Sequence, residues 1–419
     1  MIKAVILIGG PLKGTRFRPL SLDIPKPLFP VAGIPMIEHH IEACTKISGL
    51  SEVLIIGSYA AADLQQFVQE TIKKYKITIR YLQEFTPLGT AGGMYHFRDQ
   101  IRAGSPDNFF VMNGDVCADF PLQELLESHG ESKALLTIMA TEATRQQSLN
   151  YGCIVLAKDG KVSHYVEKPS TFVSTLINCG VYLVSPEIFP TMAEVFYTRH
   201  QQDNILHING NGKDPAHIAL EQDVLIRLAG TGMLNAVSVK NWWSQVKTAG
   251  SAIYSNRHYL ALYRVKHPER LALSSVGQCN IIGDVYIHST AKVHPTAVLG
   301  PNVSIGPNAV LGAGVRIRES IVLADAQIQA HSVVLHSIVG RCSIVGEWAR
   351  VEGTPCDPNP NKPFAKMENP PLFNANGKLN PSITILGTSV SLASGKILLN
   401  SIVLPHKELT RNFKNEIIL

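Results

Sequence analysis

The sequence predicts an α/β fold over residues 1–250, a mixed, mainly parallel sheet with helices on both faces, followed by a left-handed parallel β-helix over residues 272–419. Two patterns support this prediction. In the first half, short apolar runs without alternation, typical of strands buried on both faces, alternate with amphipathic helical segments. In the second half, aliphatic residues recur every six positions, the spacing at which they stack inside a triangular coil. A helical segment over residues 251–271 connects the two regions.

Four apolar runs in the first half predict strands, over residues 4–8, 53–56, 77–82 and 109–112. The spacing of apolar residues predicts helices over residues 34–47, 62–75 and 219–229. Ligands of parallel sheets bind at the carboxyl ends of the strands. The residues that follow each strand are therefore the candidates for a functional site.

The loop after the first strand is suited to an anion. Gly9 and Gly10 allow a sharp turn and let a ligand approach bare backbone N–H groups. Arg16 and Arg18 carry guanidinium groups, which bind phosphate oxygens in pairs, and Lys26 stands on a stiff Pro-Lys-Pro segment. The glycine spacing matches neither the dinucleotide fingerprint nor the Walker loop.

Two further strand ends carry candidate residues. Small residues after the third strand leave a surface that a flat base could cover, and a helix starting near Ala91 would point its N–H groups at the site. Asp115 follows the fourth strand, where a carboxylate beside phosphates is a natural Mg²⁺ ligand, although a lone aspartate is more often a loop or cap residue. The candidates after the third strand are Glu84, Leu88, Gly89, Thr90, Ala91 and Gly92.

Beyond residue 141 the chain changes to hairpin-like segments. Gly152, Glu167, Lys168 and Asn178 lie between short apolar runs. Their side chains could hydrogen-bond the hydroxyls and phosphate of a sugar phosphate, although each alone is as easily a surface or turn residue.

Composition excludes several classes of protein. The chain has 419 residues and a net charge of +5, and no basic cluster is interleaved with aromatic residues, which argues against nucleic acid. Seven cysteines, from Cys44 to Cys356, include no Cys-x-x-Cys pair. Free thiols in a reducing cytosol are therefore expected. No apolar run is long enough to span a membrane, so we expect a cytoplasmic protein.

The six-residue repeat in the second half is interrupted once. It slips by one residue at several points, breaks over residues 353–361 and resumes near residue 383. The Pro- and Asn-rich stretch over residues 355–382 cannot stack and is predicted to protrude, and loops of this length are usually functional or disordered. The first seven members of the repeat are Ile287, Val293, Leu299, Ile305, Leu311, Ile317 and Leu323.

The opening run, from Gly9-Gly10 through Gly14-Thr15-Arg16 to Pro25-Lys26-Pro27, resembles that of the nucleotide-sugar pyrophosphorylases. The resemblance covers the whole chain and implies a Rossmann-like nucleotidyltransferase domain before the β-helix. It departs in one place, because three residues, Pro11–Lys13, replace the single residue that the family has between the glycine pair and Gly-Thr-Arg.

The resemblance also assigns roles to the candidate residues. It implies base recognition at Glu84 and residues 88–92, a metal ligand at Asp115, and a hexose held by Gly152, Glu167, Lys168 and Asn178. Arg16 and Lys26 would be catalytic if the chain is active, and Gly9, Gly10 and Lys26 would contact the phosphates.

Active members of the family carry the second metal-binding aspartate in a Trp-x-Asp-Ile-Gly motif. This chain has Trp243-Ser244-Gln245 there. An amide is a weak Mg²⁺ ligand, and phosphoryl transfer depends on positioning and charge neutralisation. A bound Mg²⁺ would be weakly held, while Gln245 could still hydrogen-bond a phosphate oxygen.

Within this family the chain is most similar to the mannose-1-phosphate guanylyltransferases, and among them to subunits that regulate a catalytic beta-type paralogue. The resemblance therefore implies a GDP-mannose or GTP ligand, feedback inhibition of that partner, a 355–382 loop that reaches it, and self-association through the β-helix.

Three alternatives stay open at this stage. The chain could be an active guanylyltransferase that makes GDP-mannose and pyrophosphate. It could be an acyltransferase that uses a histidine base of the coil, or the β-helix could serve assembly alone. The candidate bases are His288, His294, His331 and His336.

Overall fold

The computed structural model describes residues 1–12, 14–206, 217–273 and 279–419. Lys13, one of the three residues in the Pro11–Lys13 insertion, lies outside the described residues. The chain divides into two compact units that do not follow its order. The first unit comprises Met1–Lys13, Ile37–Trp243 and Asn359–Lys366, and the second comprises Gly14–Met36, Ser244–Pro358 and Met367–Leu419.

The first unit is built on a mixed nine-stranded sheet, as predicted. The first strand, Ile2–Gly9, lies between two parallel neighbours, and Ala4, Val5 and Ile6 are fully buried. This burial explains the absence of alternation in its sequence. In order across the sheet the strands are Val162–Glu167, Gly152–Leu156, Leu176–Val184, Asn108–Asn113, Ile2–Gly9, Leu50–Gly57 and Thr78–Gln83, with Leu136–Glu142 pairing both Leu176–Val184 and Leu234–Ser238.

All four predicted strands are confirmed. These four strands are parallel, so their carboxyl ends share one edge of the sheet. They are Asn108–Asn113, Ile2–Gly9, Leu50–Gly57 and Thr78–Gln83. Leu176–Val184 runs antiparallel to Asn108–Asn113 and brings the hairpin half against that parallel core. The α-helices of this unit are Met36–Thr45, Ala61–Tyr75, Thr90–His96, Arg98–Arg102, Leu122–Ser132, Ile188–Leu206 and Ile226–Leu228.

The second unit contains a parallel β-helix of three all-parallel sheets, while its left-handed sense stays a prediction. One sheet has strands Asn280–Ile281, Val298–Leu299, Arg316–Arg318, Val333–Leu335, Arg350–Glu352, Ile397–Leu399 and Phe413–Lys414. The next has Val285–Ile287, Val303–Ile305, Ser320–Val322, Ser337–Val339, Thr384–Leu386, Ile402–Val403 and Ile417–Ile418. The third has Lys292–Val293, Val310–Leu311, Gln327–Ile328, Ile344–Val345, Ser391–Leu392 and Glu408–Leu409.

The six-residue spacing fails one step before the predicted slip. Ile305 pairs with Val322 in the next coil, so Val322 rather than Leu323 continues the inward stack after Ile317. This coil is one residue shorter than the coil before it, and Glu319, between Ile317 and Val322, has a positive φ of 48°. Across the insertion the stack is continuous, because Val339 pairs directly with Leu386.

The helix Ala249–Lys266 packs against the β-helix strands of its own unit. Arg257 on this helix places one guanidinium nitrogen 3.0 Å from both Glu319 Oε2 and Asp357 Oδ2. Glu319 is only 6% exposed and also accepts a hydrogen bond from Asn302 Nδ2 at 2.9 Å. The ion pairs therefore join the helix, one coil corner and the start of the insertion.

We expect the second unit to lose stability in mild acid through His258. Burial lowers the pKa of His258 from 6.5 to about 4, Arg257 adds to this, and Asp357 opposes it. The folded imidazole therefore stays neutral while the unfolded one takes up a proton, so stability falls as the pH drops from 6.5 towards 4. His258→Gln should reduce the acid-induced loss in urea denaturation by about 1–3 kcal/mol. His294→Gln, on the exposed coil surface, is the control, and equal acid sensitivity in all three proteins would contradict the prediction.

Candidate functional site

An open cleft of about 550 Å³ lies where the parallel strands of the first unit end. Two of its walls come from the loop after Ile2–Gly9 and the turn after Thr78–Gln83, as the strand-end argument predicted. Five predicted residues lie in its lining: Gly9, Gly10, Glu84, Gly89 and Thr90. The remaining lining residues are Leu7, Leu12, Ile56, Ser58 and Pro87.

The glycine pair is required by its surroundings. Gly9 has a φ of 64°, which favours glycine. A β-carbon at Gly10 would lie 1.8 Å from Ser58 Oγ, and the Ser58 N–H donates to Gly9 O at 2.7 Å. The backbone of the pair is therefore bare and held against the next strand end. Ser58 was not predicted as a site residue, although its position directly after a buried strand could have indicated it.

Glu84 is fixed at the edge of the cleft. Its N–H donates to Gly57 O at 2.7 Å, and a β-carbon at Gly93 would lie 2.1 Å from Glu84 Oε1. Gly89 has a φ of 80°, and its β-carbon would lie 2.5 Å from Ile218 O. The turn that presents Leu88 to Thr90 is thus held by the backbone near residue 218.

The expectation that the following helix points its N–H groups at the ligand is wrong for Ala91 and Gly92. Both residues are buried, and their N–H groups donate to Ile218 O at 3.0 and 3.1 Å. The helix Thr90–His96 has only seven residues. Its first donors are consumed inside the unit because a distant segment of chain returns to cap them.

The structure brings the four predicted sugar-side residues together. Asn178 Nδ2 donates to Tyr165 OH at 3.0 Å, and Tyr165 OH donates to Glu167 Oε2 at 2.9 Å. A β-carbon at Gly152 would lie 2.0 Å from Tyr165 OH and 2.7 Å from Glu167 Oε2. Lys168 is exposed and pairs with Glu167 Oε1 at 3.1 Å. The cluster offers carboxylate, amide and ammonium groups to a hydroxylated ligand.

Asp115 lies in the turn that follows Asn108–Asn113 and is half-buried. The neighbouring Gly114 N–H donates to Leu7 O at 2.8 Å, which fixes this turn to the cleft lining. On the other side, a β-carbon at Gly180 would lie 2.6 Å from Asn113 Nδ2. Asp115 is therefore presented by a turn tied to both the cleft and the sugar-side strand.

Three predicted residues belong to the second unit. Arg16 is exposed on the short turn Thr15–Phe17, and Lys26 Nζ lies 5.9 Å from the centre of the Phe17 ring. Gln245 ends the strand Trp243–Gln245, and its carbonyl accepts from the Lys247 N–H at 3.0 Å.

The residues present are a poor match for a resident metal ion. In the ranges that the structure describes, no three His, Cys, Asp or Glu side chains are grouped closely enough to hold one. The donor set implied by the resemblance is one carboxylate and one amide, whereas Mg²⁺ favours charged oxygen ligands.

The predicted helix over residues 219–229 is found over residues 220–228, although most of it is not an α-helix. The chain forms a π-helical turn, Leu220–Leu225, and then the short helix Ile226–Leu228. Asp223 Oδ2 accepts from the Ala219 N–H at 2.7 Å and the carboxylate pairs with Arg199. This local capping starts the turn, and it is not visible in the spacing of apolar residues.

Part of the long insertion contributes to the first unit. The Lys366 N–H donates to Gln147 Oε1 at 2.8 Å, and Gln147 Nε2 donates back to Lys366 O at 2.8 Å. Lys366 Nζ donates to Thr141 Oγ1 at 3.3 Å and lies 5.9 Å from the centre of the Trp243 ring. Burial lowers the pKa of Lys366, although Cys179 and Glu142 act in the opposite direction. This segment was predicted to protrude, and its contact with Gln147 was not predicted.

The mixed sheet and the glycine-lined cleft at its strand ends are typical of a nucleotidyl transferase. Residues 3–221 match the family model described as nucleotidyl transferase, and residues 281–418 match the GMPPB C-terminal domain. A putative glucose-1-phosphate thymidylyltransferase from Bacillus anthracis, solved with sucrose, has a similar fold. It aligns at a TM-score of 0.50 and 19% identity, over 66% of this chain and 98% of that one.

Similar proteins match over the full length of both chains. They include the mannose-1-phosphate guanylyltransferase regulatory subunit alpha of Drosophila melanogaster at 64% identity and that of Homo sapiens at 58%. The regulatory subunit alpha-A of Danio rerio is 59% identical. The chain therefore belongs to the nucleotidyl transferase family and, within it, to the mannose-1-phosphate guanylyltransferase regulatory subunit alpha group. Among its described helices, none is both long and apolar enough to cross a membrane.

Proposed function

We propose that this chain is a regulatory subunit that binds GDP-mannose and controls a catalytic, beta-type mannose-1-phosphate guanylyltransferase. One observation carries the proposal: the base-side and sugar-side residues are assembled in one unit, while position 245 holds an amide. The names of the full-length relatives support the regulatory role.

The geometry of the first unit fits the parts of a nucleotide sugar. The bare backbone of Gly9 and Gly10 offers N–H groups to phosphate oxygens, since a backbone without β-carbons lets an anion approach closely. Glu84, at the cleft edge, can accept hydrogen bonds from the N–H groups of a guanine base. Glu167 provides a carboxylate that can accept from sugar hydroxyls, and Lys168 provides an ammonium that can donate to them.

The loop over residues 355–382 is the proposed route to the partner. Its segment Asn359–Lys366 belongs to the first unit, where Lys366 contacts Gln147. Gln147 lies five residues before Gly152, which is a sugar-side residue. A change at the sugar side can therefore reach the loop through a short stretch of chain. Cytoplasmic location, GTP as a second ligand and self-association through the β-helix remain parts of the same proposal.

The first test is titration of the full chain with GDP-mannose, with and without Mg²⁺. We expect saturable binding that changes little with the metal. Gly10→Ala should weaken binding at least about tenfold, the equivalent of about 1.4 kcal/mol, because the new β-carbon collides with Ser58 Oγ. Gly130→Ala is the matched control, since a β-carbon there meets nothing within 4 Å.

Two outcomes of this titration would count against the proposal. No binding by the unaltered chain would leave the first unit without its proposed ligand. Equal binding by the Gly10→Ala and Gly130→Ala variants would place the ligand away from the cleft.

A further inference from the structure

A continuous hydrogen-bonded series links the base side of the first unit to its sugar side. Thr90 Oγ1 donates to Glu221 Oε2 at 3.1 Å, and Tyr182 OH donates to Glu221 Oε1 at 3.3 Å. Asn178 Nδ2 donates to Tyr182 OH at 2.9 Å and to Tyr165 OH at 3.0 Å. The series ends at Glu167, which accepts from Tyr165.

Thr90 at one end of this series and Asn178 near the other are each held by the backbone of a different part of the site. Thr90 lines the cleft and accepts from the Leu220 N–H at 2.7 Å. Asn178 is 8% exposed, and its Oδ1 accepts from the Gly180 N–H at 2.8 Å. Among the residues that the structure describes, Glu221 bonds both Thr90 and Tyr182, and its carboxylate connects the two ends of the series.

Glu221 occupies an unusual backbone position for a structural residue. It lies on the π-helical turn Leu220–Leu225, and single π turns occur frequently at functional sites. Burial raises the pKa of Glu221, and the nearby Glu167 carboxylate raises it further. A fully buried Tyr182 and a nearly buried Tyr165 surround it. Such a network costs stability unless every polar group is satisfied.

We propose that Glu221 is a positioning residue that couples the base turn at Thr90 to the sugar-side Asn178 through Tyr182. The inference rests on the proposed GDP-mannose site and adds a residue to it that touches no ligand. With the series intact, the distance between the base side and the sugar side stays fixed. A ligand that contacts both sides therefore binds more tightly. A ligand that occupies only the nucleotide end gains less.

The test compares GDP-mannose with GDP on the full chain. We expect Glu221→Gln and Tyr182→Phe each to weaken GDP-mannose binding about tenfold and GDP binding less than about threefold, since only GDP-mannose needs both ends. The double variant should bind GDP-mannose no more weakly than either single variant, because both changes break the same link.

Asp223→Asn is the matched control. Asp223 lies on the same π-helical turn but caps Ala219 and pairs with Arg199, outside the series. It should lower thermal stability while leaving the ratio of GDP to GDP-mannose affinity unchanged. If either Glu221→Gln or Tyr182→Phe fails to fold, the ratio of GDP to GDP-mannose affinity in the other variant tests the coupling role.

Additive effects in the double variant, or equal losses for GDP and GDP-mannose, would overturn the coupling role while leaving the proposed function standing. Failure of the unaltered chain to bind GDP-mannose would overturn the proposed function, and the positioning role of Glu221 with it. The two failures are therefore distinguished by the unaltered chain alone.

Discussion

Replacing Gln245 with aspartate is expected to raise pyrophosphate release from GTP and mannose 1-phosphate at least about a hundredfold over the unaltered chain. The resemblance to active nucleotide-sugar pyrophosphorylases implies a carboxylate at this position, and a divalent ion stabilises transition-state charge by several kcal/mol. Each 1.4 kcal/mol corresponds to tenfold in rate, so even partial recovery of metal binding gives a large effect.

The measurement is a coupled pyrophosphate assay on the full chain with saturating Mg²⁺. Gln245→Asn is the matched control, because it has the size of aspartate but keeps the neutral amide. Asp115→Asn, added to Gln245→Asp, should remove the gain. GDP-mannose affinity is measured on the same samples, so that loss of the site is separated from loss of turnover.

Two results would change the interpretation. Strong Mg²⁺-dependent turnover by the unaltered chain would show that an amide at position 245 is tolerated and that the protein is an enzyme in its own right. No gain from Gln245→Asp would direct attention to the Pro11–Lys13 insertion, which lengthens the loop where the nucleotide phosphates are expected. Positioning errors of that kind can cost as much as a missing ligand.

The elements that the sequence predicted best are those with a repeating local pattern. The four parallel strands and the coil residues from Leu299 to Ile317 are found where apolar runs and six-residue spacing placed them. The slip before Val322 was placed one residue late, because Ile321, Val322 and Leu323 are all apolar and buried. Local pattern alone does not distinguish three apolar neighbours that differ only in which one faces the core.

The features that escaped prediction depend on residues far apart in the chain. The N–H groups of Ala91 and Gly92 are consumed by a carbonyl at residue 218, and Glu221 meets Thr90 across 131 positions. Lys366 meets Gln147 across 219 positions. Residues that distant in the chain never fall in one short window of sequence, so local patterns do not reveal these contacts. Candidate ligand residues could be listed from strand ends, but their supporting shell could not.

Removing Asn359–Lys366 is expected to abolish most of the feedback by GDP-mannose on the catalytic partner. The backbone N–H and C=O of Lys366 form two hydrogen bonds with the side-chain amide of Gln147, which begins the turn Gln147–Asn150 just before Gly152. Its ammonium also lies near Trp243, whose ring is 5.5 Å from that of Tyr151. We therefore expect occupation of the sugar side to change the surface that this segment contacts.

The measurement is the initial rate of the reconstituted complex with and without GDP-mannose. Allosteric couplings are typically about 5- to 150-fold, and we expect the deletion to reduce the inhibition to less than about twofold. Lys366→Ala should give an intermediate loss of inhibition, because it removes the half-buried ammonium but keeps the two hydrogen bonds between the residue 366 backbone and the Gln147 side chain. Lys362→Ala, an exposed lysine on the same segment, should leave the inhibition unchanged. Full feedback in the deleted complex would refute the role of the loop, and equal losses from the two lysine variants would assign the effect to loop charge rather than to the contact with Gln147.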